Sequence, residues 1–335
     1  MFKGKKILIA VGKEAVRRKD VQDVLRCKAC LEKVLLKKGL TFKTLFLGKK
    51  SFKKTENLKR TVLNYQPDCV FNLFEGFSDD SQKEAEFVRI LEDINIPFTG
   101  SPSFSLYACL DKEKTKKILS KNNVPSPKGI FLKNVKKLKE YDINLPVFVK
   151  PCFEDASLGI DKDSLVTEKN RLHKILSKKL EEFPKGLILE EFIPGKEYNI
   201  GFLGEYPYKL LGISVLDYER FKGYSPFLTY RSKWKKNSYE FKRILPSLDY
   251  DIAGGFKNKL VNLAKKAGKV LKCRNYFRVD IREKDGKIFV LDVNPNPDIN
   301  EDSGFMKQGY SAGYKYGDII EKILQYSLKE RDNKL

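Results

Sequence analysis

One histidine, His173, is all the sequence holds in 335 residues, and no apolar run approaches the roughly 20 residues that a membrane-spanning helix needs. The second absence excludes a bilayer-spanning protein. The short apolar run at 7–11 is too brief for a secretory leader and reads instead as a first buried strand. Cysteine is scattered: Cys27, Cys30, Cys69, Cys109, Cys152 and Cys273. That pattern excludes a disulfide-stapled miniprotein and suits a reducing, cytoplasmic setting. Cys27 and Cys30 form a lone CxxC. Zinc would want a second pair, and His173 has no ligand-like neighbours, so both cysteines are expected at the core or boundary of a helix. The chain has no internal repeat and no low-complexity segment.

Acid is in deficit. Lys and Arg number 66 against 44 Asp and Glu, a net charge of +22. The lysines are spread along the chain and are not gathered with aromatics into one stripe. A solvated surface explains them best, anionic substrates come second, and nucleic acid is a less favoured third. Apolar residues make up 41% of the chain, enough for packed cores, and the length suits two or three domains of about 100–150 residues each.

The first hundred residues alternate strand and helix signals, as an open parallel sheet does. Strands are expected at 7–11, 41–47 and 68–73. A helix capped by Asp20 should run to Lys38, with Val21, Val24, Leu25, Leu31 and Leu35 on one stripe and Gly39 as its stop. Ser81 and Glu84 are spaced as a capping box for a helix through Asp93. Pro97 and Pro102 punctuate a boundary. The expected parts are 1–102, an open α/β sheet; 103–186, a small α+β unit; and 187–335, rich in strands, with a helix at 256–271 and a hairpin at 276–293.

That hairpin is the most informative stretch. Side chains alternate faces along a strand, so Arg278 and Asp280 share one face and Phe277, Val279 and Ile281 the other. A three-residue loop at 285–287 keeps the apolar faces together. It pairs Val279 with Val293, Ile281 with Leu291, Asp280 with Asp292 and Arg278 with Asn294. Two carboxylates about 5 Å apart repel by on the order of 3 kcal/mol at an effective dielectric of about 20. A hard divalent cation would offset this, with the Asn294 amide oxygen as a third donor. The plainer alternatives are that Arg278 alone compensates, or that the pair faces open water.

Lys150 ends a buried strand and leads into a loop of small residues at 154–159 that could fold over phosphates, although Glu154 and Asp155 would repel them. Lys112 opens a helix, either as a second ammonium for the same phosphates or as an ordinary solvated helix start. Glu190 and Glu191 interrupt a strand, and Glu197 follows Pro194 and Gly195. If buried, these acids need donors such as an adenine amino group and ribose hydroxyls; otherwise the strand is an edge with exposed acids.

Taken together, these residues resemble an ATP-grasp ligase of the D-alanine–D-alanine ligase family over nearly the whole chain. The marks are FNLFEG at 71–76, IPFTGS at 96–101, Asp111-Lys112, VKP at 149–151, LEEFIPGKE at 189–197, YRSKW at 230–234, RVD at 278–280 and DVN at 292–294. The resemblance implies an ATP-grasp fold behind an N-terminal parallel-sheet domain. It implies that Lys112 and Lys150 hold ATP phosphates, that Glu190 and the backbone at Phe192 and Ile193 read adenine, and that Glu197 holds the ribose. Lys233 would sit near the γ-phosphate, Ser157 would remain from the phosphate loop, and Arg278 would stabilise the tetrahedral oxyanion. Asp280, Asp292 and Asn294 would bind Mg²⁺, up to two ions, with Mn²⁺ able to replace it. The implied reaction phosphorylates one amino acid's carboxylate, and a second amino acid's amine then attacks the acyl phosphate; in the D-alanine enzymes this serves peptidoglycan synthesis. A homodimer is expected from the resemblance alone.

Departures from the family pattern fall on the amino-acid side. Only Glu14 stands near the N-terminal glutamate of the family. The catalytic serine is replaced by Ala156, a tyrosine by Trp234, and a Pro-Gly by Pro297-Asp298, which offers a carboxylate to a substrate amine. The expected activity is therefore that of a D-alanine–D-alanine ligase or of a close relative joining other amino acids. The other readings are a non-catalytic ATP-binding protein and an anion- or nucleic-acid-binding module.

Overall fold

In the computed structural model, which describes residues 2, 4–14, 19–155, 157–221, 223, 225–235, 237–248 and 250–332, apolar runs and one-sided helices build the first sheet. Strands β1 (Lys6–Gly12), β2 (Thr41–Leu47) and β3 (Cys69–Asn72) are parallel in the order β2-β1-β3. Helices α1 (Lys19–Lys37) and α2 (Thr55–Tyr65) connect them, and α3 (Gln82–Asp93) follows. On α1, Leu31 and Leu35 are fully buried, but Leu25 points outward, 49% exposed. Each residue turns the helix by about 100°, so the stripe that carries Val24 passes through Cys27 and misses Leu25. The side chains of Asp20 and Val21 lie outside the described residues. Gly39 ends the helix at φ +68°, a conformation that costs an L side chain.

The capping box at Ser81 does not form. Ser81 is already helical, because the tight turn Phe77–Asp80 starts the helical path early, and its side chain caps nothing. Glu84 instead turns inward and accepts a hydrogen bond from Asn296 Nδ2 at 2.7 Å.

Helices α4 (Ser103–Leu110) and α5 (Lys112–Lys121) come next, the latter capped by Asp111 accepting from the Lys114 amide at 3.0 Å. The middle sheet is antiparallel. It is built from β4 (Gly129–Leu132), β5 (Val147–Pro151), β6 (Leu165–Val166) and β7 (Leu187–Glu191) in the order β4-β7-β5-β6, with α6 (Lys169–Glu182) buried against it. Strand β7, grouped by sequence with the last part of the chain, hydrogen-bonds between β4 and β5 instead; its fully apolar start fills the centre of this sheet.

The last sheet contains β8 (Glu197–Leu203) and β9 (Lys209–Leu216). After the short helices α7 (Tyr230–Trp234) and α8 (Tyr239–Arg243) come α9 (Gly254–Val270), β10 (Tyr276–Lys284) and β11 (Lys287–Asn294). The order is β11-β10-β8-β9, with α9 packed on the face that carries Phe277, Val279 and Ile281. The chain closes with α10 (Gly304–Ser311) and α11 (Tyr316–Asp332). Ile319, Ile320, Ile323 and Leu324 of α11 pack into the core under β1, so the end of the chain completes the first sheet's core.

The β10–β11 register sets Asp280 opposite Asp292, Arg278 opposite Asn294 and Val279 opposite Val293. The loop differs from expectation. It has two residues, Asp285 at φ +53° and Gly286 at φ +76°, the left-handed pair of a type I′ turn. Ile281 therefore pairs with Val290, and Leu291 is extruded as a bulge that restores the acidic pair. The primed turn matches the strand twist, and the bulge keeps apolar side chains on the α9 face.

Candidate active site

A cavity of about 910 Å³ lies between the middle sheet, the open end of the β10–β11 hairpin and the first sheet's loops. Its wall includes Lys112, Lys150, Ser157, Glu190, Phe192, Ile193, Glu197, Lys233, Arg278, Asp280, Asp292 and Asn294, so every site residue singled out from the sequence borders one space. Glu14, Trp234 and Asp298 border it too, whereas Ala156 lies outside the described residues.

Local structure brings them there. Lys150 is near the end of β5 and Glu190 near the end of β7, in neighbouring strands. Lys150 Nζ and Glu190 Oε1 are 2.6 Å apart, and Lys116 Nζ reaches Glu190 Oε2 at 2.5 Å. Lys116 is one helical turn beyond Lys112, a spacing that sets both on one face of α5. Burial opposes the charge on Glu190, but the two ammonium groups outweigh it and hold the carboxyl below its ordinary range. Burial pushes Lys116 down. The buried acid thus has lysine partners within the chain, where the sequence had suggested adenine and ribose as donors.

Lys112 donates to the Glu154 carbonyl at 2.6 Å and lies 3.4 Å from Asp155, which ties α5 to the loop after β5. Although burial works against its charge, Asp155 and Asp292 raise its pKa. In that loop Ser157 at φ +63° and Gly159 at φ +73° take left-handed turns. The ammonium of Lys233, on α7, makes no hydrogen bond or ion pair among the described residues; burial and then Arg278 lower its pKa.

At the hairpin end, Arg278 forks onto Asp280 at 2.7 and 2.9 Å, and Asn199 adds a donor at 2.8 Å. Asp280 is therefore compensated within the chain, as one plainer alternative had it. The Asp292 carboxylate accepts no hydrogen bond among the described residues. Asn294 Oδ1 accepts from the Asn296 amide at 3.0 Å and keeps a second lone pair. No cluster of three His, Cys, Asp or Glu side chains gathers among the described residues. The donor set is instead two carboxylates and an amide oxygen, which fits a hard cation.

Another part of the wall is aromatic. Phe148 lies 4.9 Å from Phe227 and 6.1 Å from Phe192, centroid to centroid. The Phe192 amide is tied to Pro146 and the Ile193 carbonyl to Arg282. The Phe192 carbonyl and Ile193 amide make no hydrogen bond among the described residues. Glu197 accepts from Arg282 at 3.1 and 3.2 Å and from Tyr218 at 3.0 Å. Burial disfavours its charge, but Arg282, Tyr218 and Lys233 together outweigh burial and leave it below its ordinary value. Arg282 and Lys116 went unnoticed in the sequence; the available signal was same-face spacing, Arg282 two residues past Asp280 and Lys116 four past Lys112.

Glu84 closes the side of the cavity toward α3. Burial pushes its carboxyl up to about 8. The folded chain then retains a proton that the unfolded chain releases near 4.5, so stability falls as pH rises between those values. Glu84→Gln keeps the acceptor for Asn296 and removes the titration. In thermal melts the native protein should lose melting temperature between pH 5 and 8 more steeply than the variant. At pH 8 the variant should be higher by roughly 3 °C or more.

Comparison with known proteins fits this arrangement. The family described as "D-ala D-ala ligase C-terminus" matches residues 118–325. A D-alanine–D-alanine ligase of Pelagibacter ubique is 29% identical over 277 residues, covering 81% of this chain and 84% of that one. The corresponding ligase of Carboxydothermus hydrogenoformans is 29% identical over 319 residues, covering 92% and 94%. The crystal structure of D-alanine–D-alanine ligase from Bacillus anthracis complexed with ATP superposes with a TM-score of 0.75 at 22% identity, covering 99% of this chain and all of that one. At that identity the superposition speaks for the fold.

Proposed function

The chain belongs to the D-Ala–D-Ala ligase family of ATP-dependent ligases that form carbon–nitrogen bonds, and from that premise we propose how its cavity joins two amino acids. Lys112 and Lys150 hold the phosphates of ATP. The apolar slot of Phe148, Phe192 and Phe227 takes the adenine, with the free Phe192 carbonyl and Ile193 amide as the acceptor–donor pair for its edge. Glu190 keeps Lys150 aimed along the phosphates, and Glu197 accepts from the ribose. Asp280, Asp292 and Asn294 hold Mg²⁺. When bound, the metal supplies charge neutralisation for the phosphoryl group in flight.

In the first step a carboxylate oxygen of one amino acid forms a bond to the γ-phosphorus and ADP leaves. Lys233 balances the charge that accumulates on the phosphoryl oxygens. In the second, the amine of the other amino acid bonds to the acyl carbon. Arg278, held in its fork by Asp280, faces the oxyanion, and inorganic phosphate departs, taking up the proton that the attacking amine gives up. Ser157 orients the loop over the phosphates. The metal preference, a cytoplasmic setting and a homodimer belong to this reading, as do D-alanine or another amino acid as substrates.

One observation carries it: Lys112, Lys150, Lys233 and Arg278 share the wall of a single cavity with an opposed pair of carboxylates. An ADP-release screen over pairs of amino acids, D-alanine included, tests it. Turnover that needs Mg²⁺ and disappears in Asp280→Ala, with the variant still folded, is expected. Full activity of that variant would reject the metal assignment, and nucleotide binding without turnover on any pair would favour a non-catalytic binder.

A further inference from the structure

The wall of the cavity also carries chemistry that the ATP reading does not explain. Four residues past Asn294, and so at most about 14 Å of chain away, Asp298 borders the same space. Its Oδ1 accepts from the Asn300 amide at 2.8 Å and from Asn300 Nδ2 at 2.9 Å. Its second oxygen has no hydrogen-bond or ion-pair partner among the described residues. Arg26, the neighbouring guanidinium, is turned to Asp302 and, at 3.3 Å, to Asp23. An independent observation comes from Asn300, which is 2% exposed and also borders the cavity. Its Nδ2 is spent on Asp298 and on the Asp23 carbonyl at 3.2 Å, and its Oδ1, a buried acceptor, receives no hydrogen bond. A half-buried carboxylate oxygen without a donor and a buried amide oxygen without a donor are each costly. Both lack the same thing, a hydrogen-bond donor, and beside a carboxylate a cationic donor serves best.

We infer that this enzyme takes an amino acid with a second cationic group on its side chain, an ammonium or guanidinium, which docks against Asp298 and Asn300. An ammonium has donors for both oxygens, and a neutral side chain of the same length has none. The polarity of the cavity suits such a substrate. Its reacting carboxylate meets Lys233 and Arg278, and its side-chain cation meets Asp298. This inference rests on the ligase reading and narrows it to a substrate class.

The test measures ADP release with Mg²⁺ and ATP. D-alanine is paired in turn with D-ornithine and D-norvaline, and with D-lysine and D-norleucine, so that each pair differs by one ammonium. The native enzyme should prefer the cationic member by at least about tenfold in kcat/KM. Asp298→Asn, which retains the acceptor for Asn300, should lose that preference while the KM for ATP stays unchanged. Equal or better use of the neutral isosteres, or a preference that survives Asp298→Asn, overturns the inference and leaves the ligase reading intact. No release with any pair, despite binding of Mg–ATP, overturns the ligase reading instead. Calorimetric titration with ornithine and norvaline then decides the inference: tenfold tighter ornithine supports it, and equal binding rejects it.

Discussion

Asp292→Asn should cut ADP release by about 10²–10³-fold and leave the stability of the fold within about 1 kcal/mol of the native protein, a combination that a structural residue would not give. Asp292 faces Asp280 across the hairpin, and its carboxylate accepts no hydrogen bond among the described residues. Removing its charge therefore breaks no hydrogen bond there; it relieves repulsion from Asp280 and gives up attraction to Lys112 and Arg278, two opposed effects of roughly 0.5–1 kcal/mol each. Asp280 differs because its carboxylate is engaged by Arg278 and Asn199, and truncating it strands a guanidinium. Steady-state ADP release and urea denaturation of the same preparation check the two halves together. Unchanged turnover would remove Asp292 from the metal site, and a loss of stability well above about 1 kcal/mol would assign it a structural contact.

Glu190→Ala carries the second large effect, on stability. Glu190 sits between Lys116 and Lys150 with its side chain only 4% exposed, and the two lysine side chains are 15% and 9% exposed. Removing the acid leaves two ammonium groups in a poorly solvated space. Breaking such a buried pair typically costs about 3–5 kcal/mol. Denaturant unfolding should show a loss of that size, and added Mg–ATP should restore part of it by supplying anionic oxygens to Lys150. A loss below about 1 kcal/mol would mean that water reaches the lysines.

The strands and helices that frame the cavity were readable because their signals are local. Alternation along β10 and β11 requires Asp280 and Asp292 to share a face, since a slip of one residue would expose Val279 and Ile281. The exchange of a three-residue loop for a type I′ turn plus a bulge at Leu291 was less readable. Both solutions preserve the same faces, and only the twist of the paired strands separates them. Leu25 misled for a related reason: an apolar residue next to a stripe looks like part of it until the helix is turned.

By itself, the sequence determined which residue types recur with which period, and therefore the element types, the acid-bearing hairpin face and the lysines at element ends. The tertiary structure decided which charge meets which. Glu84 finds Asn296 across 212 residues, the Asp23 carbonyl meets Asn300 across 277, and α11 returns to complete the core of a sheet begun at Lys6. The physical reason is range. Backbone geometry imposes periodicity within a few residues, whereas a buried charge takes its partner from whatever the packing of distant segments brings within hydrogen-bond distance.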